Sequence, residues 1–189
     1  KGIRIGNNVD IIEHEDDFSF IDGGNDAPFT ISFWVRSLFN ATSRGSALNT
    51  GGSTSAGTAI STFFGKKDEY RLAVDANGRL QFFVQTNSSN YLRAFSKQDP
   101  FAADTEWNFV TVAYDGSETA QGLKIFLNGE DITVSKASVG SYTGMTNTGN
   151  SFYFGSNDTS AGTQMPSFFD LTLGQTTQVA ELSIWKRAL

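Results

Sequence analysis

Acidic residues suited to metal binding are concentrated near the N-terminus of this 189-residue chain. Segment 15–28, EDDFSFIDGGNDAP, places them around a Gly-Gly turn, where carboxylates and backbone carbonyls can surround a cation. Calcium takes about six to eight such oxygens and tolerates irregular loops. The spacing matches no EF-hand loop, and the competing interpretation is a set of solvated turn residues. The candidate calcium ligands are Asp16, Asp17, Asp22 and Asp26, of which Asp22 and Asp26 are the first choices.

A second candidate site combines aromatic rings with polar groups on two strands. Alternation along RLQFFVQT (79–86) and NYLRAF (90–95) gives each strand a polar and aromatic face. If the two strands are neighbours, these faces form one platform that can stack on a sugar and hydrogen-bond its hydroxyls. The alternative is that Phe83 and Phe95 pack against a neighbouring sheet edge or loop, as aromatic rings mostly do. The predicted ligand-binding residues are Gln81, Phe83, Gln85, Tyr91 and Arg93.

Nucleophilic and zinc chemistry find little support in the sequence. The chain has no cysteine, which excludes a thiolate nucleophile and a cysteine-based zinc site. Its single histidine, His14, lies in the acidic run EHEDD, and no serine pattern points to it. Hard-oxygen metal binding is the remaining metal chemistry.

Strands must position these residues, because apolar and polar side chains alternate with period two in several segments. The clearest are 79–86, 107–114, 123–129 and 131–135, separated by turn signals such as Asn128-Gly129. No segment keeps a helical apolar period over three turns, so we expect almost no helix beyond a turn near 185–189. The pattern predicts an all-β fold.

Composition limits the partners of the chain. Its 14 basic and 20 acidic residues give a net charge of −6, which repels nucleic acid and anionic lipid, so we expect no nucleic acid partner and no membrane insertion. No run of about 18 apolar residues could span a membrane. The chain begins at Lys1 rather than Met, and we interpret residues 1–189 as one domain cut from a longer protein.

Three segments carry a family resemblance: FTISFWVR (29–36), TEWNFVTVAYDGSETAQGLKIFLNGE (105–130) and AELSIWKRAL (180–189). Together they resemble the laminin-G-like jelly-roll domain of the concanavalin A-like lectin/glucanase superfamily, especially those in phage structural and bacterial surface proteins. The resemblance implies an antiparallel two-sheet jelly-roll sandwich, with Trp34, Trp107 and Trp185 in its core. It also implies a virion or an extracellular or cell-surface location.

The same resemblance bears on calcium and on catalysis. Similar domains often carry calcium at the sandwich rim, but where many relatives have Ile-Asp-Glu, this chain has Val179-Ala180-Glu181. Laminarinase-type hydrolases use a Glu-x-Asp-x-x-Glu motif, and segment 8–13 matches it except that Asn8 takes the place of the nucleophile. Retaining hydrolysis needs two carboxyls. We therefore expect no enzyme.

Three functional hypotheses follow. The first is a non-catalytic recognition module that binds a carbohydrate or another cell-surface ligand, with calcium as its candidate cofactor. The second is a structural or oligomerisation domain that contacts other subunits of a virion or surface assembly. The third, least supported by the residues, is a laminarinase-type glycoside hydrolase.

Overall fold

Alternating apolar residues form strands throughout the part of the chain that the computed structural model describes, residues 3–5, 12–37, 59–75, 78–98, 100–101, 106–154 and 177–189. A single 3-10 helix, Ala120–Gly122, occurs in these ranges. The strands are β1 (Ile3–Ile5), β2 (Ile12–His14), β3 (Ile21–Asp22), β4 (Asn25–Asp26), β5 (Phe29–Ser37), β6 (Ala59–Lys66), β7 (Tyr70–Asp75), β8 (Leu80–Asn87), β9 (Asn90–Ser96), β10 (Asn108–Tyr114), β11 (Leu123–Leu127), β12 (Glu130–Asp131), β13 (Thr133–Val139), β14 (Phe152–Phe154) and β15 (Thr177–Trp185).

Two antiparallel sheets form a jelly-roll sandwich, as the sequence predicts. The first sheet has the strand order β1-β15-β5-β10-β11-β12, and the second has β13-β9-β8-β7-β6-β14-β2. Strands β3 and β4 form a separate small hairpin. The predicted strand at 131–135 is in fact divided, because the chain leaves the first sheet after β12 and enters the second sheet at β13. Ile132, at the crossing, bonds to Ile125 on one side and Lys97 on the other.

The core between the sheets is aromatic and follows the period-two pattern. On β5 the residues Phe29, Ile31, Phe33 and Val35 are all buried, and the Phe29 ring stacks on Phe20 with centroids 4.1 Å apart. Burying one such side chain stabilises the fold by roughly 1.5 to 3 kcal/mol. The abundance of phenylalanine in the chain is therefore largely a property of this core.

The turn Asn128-Gly129 has the predicted hairpin geometry. Both residues have positive φ, 52° and 86°, and Leu127 pairs with Glu130 across the turn. This is the backbone of a two-residue type I′ turn, for which Asn-Gly is the favoured sequence. In the turn after β10, Gly116 has φ of 77°, and a Cβ there would lie only 3.0 Å from the Asp26 carbonyl oxygen, so glycine is favoured on both counts.

Two expectations about the fold are wrong. The strand β15 continues to Trp185, and the residues after it form bends rather than a helical turn. The three tryptophans are not core residues: Trp34 and Trp185 are half-buried and Trp107 is 37% exposed. Alternation explains Trp34, since Phe33 and Val35 occupy the inward positions on either side of it. The Trp34 ring packs instead against Phe109 on the outer face of the first sheet.

Candidate ligand-binding site

The predicted platform residues lie on adjacent strands of the second sheet. Strand β8 pairs with β9, so that Gln85 lies opposite Tyr91 and Phe83 lies opposite Arg93. On its other side, β8 pairs with β7, which places Arg71 opposite Phe83. The alternate residues of β8, Leu80, Phe82 and Val84, belong to the core. The condition on which the platform depended, that β8 and β9 are neighbours, is therefore confirmed.

We call this outward surface of β7, β8 and β9 the arginine–aromatic face. Its aromatic rings are enclosed by guanidinium groups. The Cζ atom of Arg71 is 4.4 Å from the centroid of the Phe83 ring, and the Cζ atom of Arg93 is 4.7 Å from the centroid of Phe95. The face consists of Arg71, Arg79, Gln81, Phe83, Gln85, Tyr91, Arg93 and Phe95.

Burial divides the five predicted residues into two groups. Gln81, Phe83 and Gln85 are only 0%, 3% and 6% exposed, whereas Tyr91 and Arg93 are half-buried. Phe83 therefore offers no open ring to a sugar, because it lies under Arg71 and meets Tyr91 edge to face at 5.6 Å. Phe83 and Phe95 are both buried, and their described contacts are with arginine and tyrosine side chains of the same sheet. Tyr91 and Arg93 remain as residues that a ligand can reach.

Arg71 is a half-buried member of this face that is not among the five predicted residues. It is half-buried on β7, next to the predicted platform. Alternation along YRLAVD (70–75) could have found it, since Tyr70, Leu72 and Val74 are core residues and Arg71 lies between them. The pKa of the Arg71 guanidinium is lowered by burial, an effect that Tyr91 and Asp68 partly oppose.

The third arginine, Arg79, differs from the other two because a carboxylate neutralises it. Its Nη2 and Nε atoms lie 2.7 and 2.8 Å from Asp75 Oδ2. Gln81 donates to the same oxygen at 3.0 Å. Asp75 is fully buried, so Arg79 and Gln81 stabilise its charge and belong to the structure of the sheet.

Comparison with known proteins agrees with this architecture. The sequence model of a laminin G family, described as the concanavalin A-like lectin/glucanases superfamily, matches residues 12–189. The chain belongs to this laminin G family. No curated protein matches it in sequence.

Solved structures with the same fold include botulinum neurotoxin binding domains and laminin domains. The binding domain of botulinum neurotoxin serotype D aligns with a TM-score of 0.57 at 13% identity over 98% of this chain and 39% of that one. Mouse laminin α1 domains LG4-5 align with a TM-score of 0.54 at 12% identity over 95% and 40%. Botulinum neurotoxin type C, which depends on interaction with two ganglioside molecules to enter cells, aligns at 0.53 and 15% over 95% and 36%. This chain thus spans less than half of each of these proteins.

In this laminin G domain, the predicted calcium ligands do not converge. Asp17 and Asp22 are exposed, Asp16 pairs with Lys66, and Asp26 is buried elsewhere. Among the described residues no group of three or more histidine, cysteine, aspartate or glutamate side chains is placed to hold a metal ion. Calcium binding stays a prediction of the sequence.

Asp26 is instead the centre of a hydrogen-bond cluster, the Asp26 cluster. Its Oδ2 accepts from the Tyr114 hydroxyl at 2.7 Å and from the Tyr142 hydroxyl, and its Oδ1 accepts from the Met145 amide at 2.7 Å. Burial and the bond to Asp26 raise the pKa of both tyrosines, which are therefore neutral donors. The Asp26 amide donates to Glu118 Oε1 at 3.3 Å. Asp26 thus holds the β3–β4 hairpin to β10 and to the segment after β13.

A second buried cluster, the Lys66 cluster, surrounds an ammonium group. Lys66 is fully buried and donates to Asp16, to Ser19 Oγ at 2.7 Å and to the Asp17 carbonyl at 3.2 Å. Glu69 Oε1 lies 3.5 Å away and accepts from the Thr148 amide. Burial raises the pKa of Glu69, while Thr148 and Lys66 lower it. These groups stabilise one another and leave little for a ligand to contact.

The remaining catalytic hypotheses fall partly outside the described residues. Of the hydrolase-like segment 8–13, only the backbone of Ile12 and Glu13 in β2 is described, and the side chain of His14 is outside the description as well. No helix among the described residues is long and apolar enough to cross a membrane.

Proposed function

We propose that this laminin G domain is a non-catalytic recognition module that binds a carbohydrate on the arginine–aromatic face. The observation that carries the proposal is that Tyr91 and Arg93, half-exposed and on one strand, lie beside a third accessible residue, Arg71, across Phe83. A tyrosine ring offers a stacking surface with a polar edge, and guanidinium groups donate several hydrogen bonds in a fixed geometry. The buried ring of Phe83 supports these side chains from below.

The solved structures with this fold support a binding role for the domain in general. Botulinum neurotoxin type C interacts with gangliosides, and the serotype D structure is a binding domain. Both share the fold of this chain, and such a fold hosts binding sites for many ligands. An extracellular or cell-surface location fits this role. More specifically, we propose that the domain belongs to a virion or surface assembly, whose other subunits are further partners.

A glycan array with a variant of Tyr91 tests the proposal. We expect the purified domain to bind a defined set of glycans and Tyr91→Ala to weaken that binding by about twofold to tenfold, the value of one lost aromatic contact. Phe126→Ala is the matched control, because Phe126 is a half-buried aromatic residue of β11 in the opposite sheet. Equal binding by both variants, with melting temperatures unchanged, would place the site elsewhere. Absence of any glycan ligand would contradict the proposal.

The structural alternative has one observation in its favour. The outer face of the first sheet carries an aromatic group in which Trp34 and Phe109 pack at 5.1 Å, near the 37%-exposed Trp107. Exposed aromatic groups are typical of protein interfaces. Light scattering of the domain and of its Trp107→Ser variant tests this alternative. A multimer that the substitution dissociates would support an assembly role for this face. A monomer at all concentrations would count against it.

A further inference from the structure

Two arginines of the arginine–aromatic face form no ion pair with any described carboxylate. The Nε–H groups of Arg71 and Arg93 are buried and donate to no acceptor of the protein. Neither side chain forms an ion pair with a carboxylate in the described ranges, although Asp68 acts on Arg71 from a distance. A buried donor without a partner costs about 1 to 3 kcal/mol, and such groups are few in native proteins. Their presence here needs an explanation.

The local contacts hold both guanidiniums in place without neutralising them. Arg71 lies over Phe83 and Arg93 lies over Phe95, so their planes are oriented by rings on the same sheet. Cation–π contacts of this kind contribute about 0.5 to 2 kcal/mol and leave the charge intact. Arg79 shows the contrast, because Asp75 takes two of its donors. The face therefore carries three positive charges, of which Asp75 neutralises one, in a chain whose net charge is −6.

Sheet geometry places the two unpaired arginines on either side of one residue. Arg71 and Arg93 are both directly opposite Phe83, on β7 and β9. Neighbouring strands are about 4.8 Å apart, so their Cα atoms are separated by roughly 10 Å. That is a distance that one or two sugar units can bridge, with Tyr91 beside them.

We infer that the ligand of this face is an acidic carbohydrate, whose carboxylate or sulfate groups bind to Arg71 and Arg93. The planar guanidinium fork matches an oxyanion with two parallel hydrogen bonds. A neutral sugar would leave both positive charges without a counter-charge. An anionic group supplies the counter-charge together with hydrogen-bond acceptors. This inference rests on the proposed function and narrows it to one chemical class.

The direct test compares one sugar with and without its charge. Oligogalacturonate presents carboxylates, and its fully methyl-esterified form presents the same sugar without charge; a sulfated galactan and its desulfated form provide the sulfate arm. We expect at least one acidic form to bind the domain about tenfold or more tightly than its neutral counterpart. The binding should weaken as salt concentration rises. The anion is identified by the pair, carboxylate or sulfate, whose charged form binds more tightly than its neutral form.

Substitutions then assign the preference to this face. Arg71→Gln and Arg93→Gln should each remove most of the preference for the acidic form. Arg187→Gln, which removes the same group from an exposed position near the C-terminus, should leave it unchanged. Arg93→Lys keeps the charge and the packing stem but loses the fork, and should show an intermediate loss. Melting curves check that each variant is folded, and the charged and neutral sugars are compared on the unaltered domain in any case.

The outcomes separate the inference from the proposed function. Equal binding of charged and neutral forms would overturn the acidic-ligand inference and leave carbohydrate binding standing. A preference that Arg71→Gln and Arg93→Gln both retain would also overturn it, because the anion would then bind elsewhere. If no saccharide on the array binds, the proposed function fails and the inference fails with it.

Discussion

In the acidic segment 15–26, the buried or paired carboxylates have partners from the protein itself, whereas on the arginine–aromatic face two of three guanidiniums have none among the described residues. Asp16 accepts from Lys66, and Asp26 accepts from two tyrosines and an amide. Both regions looked like binding sites in the sequence. We propose opposite roles for them, since satisfied charges stabilise a fold, whereas charges without a protein partner are available to a ligand.

The comparison also shows how differently the two regions are built. The arginine–aromatic face comes from three consecutive strands, so its residues are close in sequence and hydrogen-bonded in register. The Asp26 and Lys66 clusters join residues that are far apart, with Tyr142 lying 116 positions after Asp26. Such long-range bonds join elements that are distant in the sequence. We therefore expect substitutions in the clusters to lower stability and substitutions on the face to lower affinity.

The largest effect should come from Lys66→Met. This change leaves Glu69, a fully buried carboxylate, without its cation, and removing one partner of a buried pair costs about 3 to 5 kcal/mol. Unfolding in urea measures the loss. Lys124→Met is the matched control, because the pair between Lys124 and Asp131 is exposed and 3.9 Å apart, and we expect less than about 1 kcal/mol there.

A second variant separates charge from packing in the Lys66 cluster. Adding Glu69→Leu to Lys66→Met removes the stranded carboxylate, so we expect the double variant to be more stable than Lys66→Met alone. If Lys66→Met lowers the free energy of unfolding no more than Lys124→Met does, the Lys66 cluster does not stabilise the fold. The acidic segment and the arginine–aromatic face would then not differ in their contribution to stability.

An intermediate effect is expected for Asp26→Asn. The substitution removes the charged acceptor of two tyrosine hydroxyls and one amide. Hydrogen bonds to charged groups contribute about 1.5 to 3 kcal/mol, so we expect a loss near 2 kcal/mol in urea unfolding. Asp22→Asn changes an exposed acid four residues earlier and should cost less than about 0.5 kcal/mol. Equal losses in the two variants would contradict the role given to Asp26.

The sequence predicts the local part of this molecule better than the distant part. Period-two alternation predicted β8, β10 and β11, and it placed Gln81, Phe83 and Gln85 on one face, because side-chain direction along a strand depends only on neighbouring residues. The same rule applied to β7 would have added Arg71. The burial of Phe83 was not predictable in this way, since it depends on Arg71 and Tyr91 from other strands.

The acidic segment shows the opposite case. Its composition indicated calcium ligands, but composition does not reveal which donors from elsewhere in the chain meet a carboxylate. Lys66 lies 50 positions after Asp16, and Tyr114 lies 88 positions after Asp26. No local pattern connects such pairs. The fold therefore gives Asp16 and Asp26 partners that no local pattern of the sequence predicts.

The smallest effect is expected from removing calcium. Both carboxylate oxygens of Asp26 already accept hydrogen bonds, and Asp16 is paired with Lys66, so a cation at these residues would have to displace protein donors. We expect the melting temperature to differ little between chelator and excess calcium, because calcium binding at these residues would stabilise the folded state only by what remains after the protein donors are displaced. A rise in melting temperature with calcium that Asp26→Asn abolishes would restore the calcium site and place Asp26 in it. A rise that survives Asp26→Asn would assign the ion to other residues and leave the Asp26 cluster as a structural element.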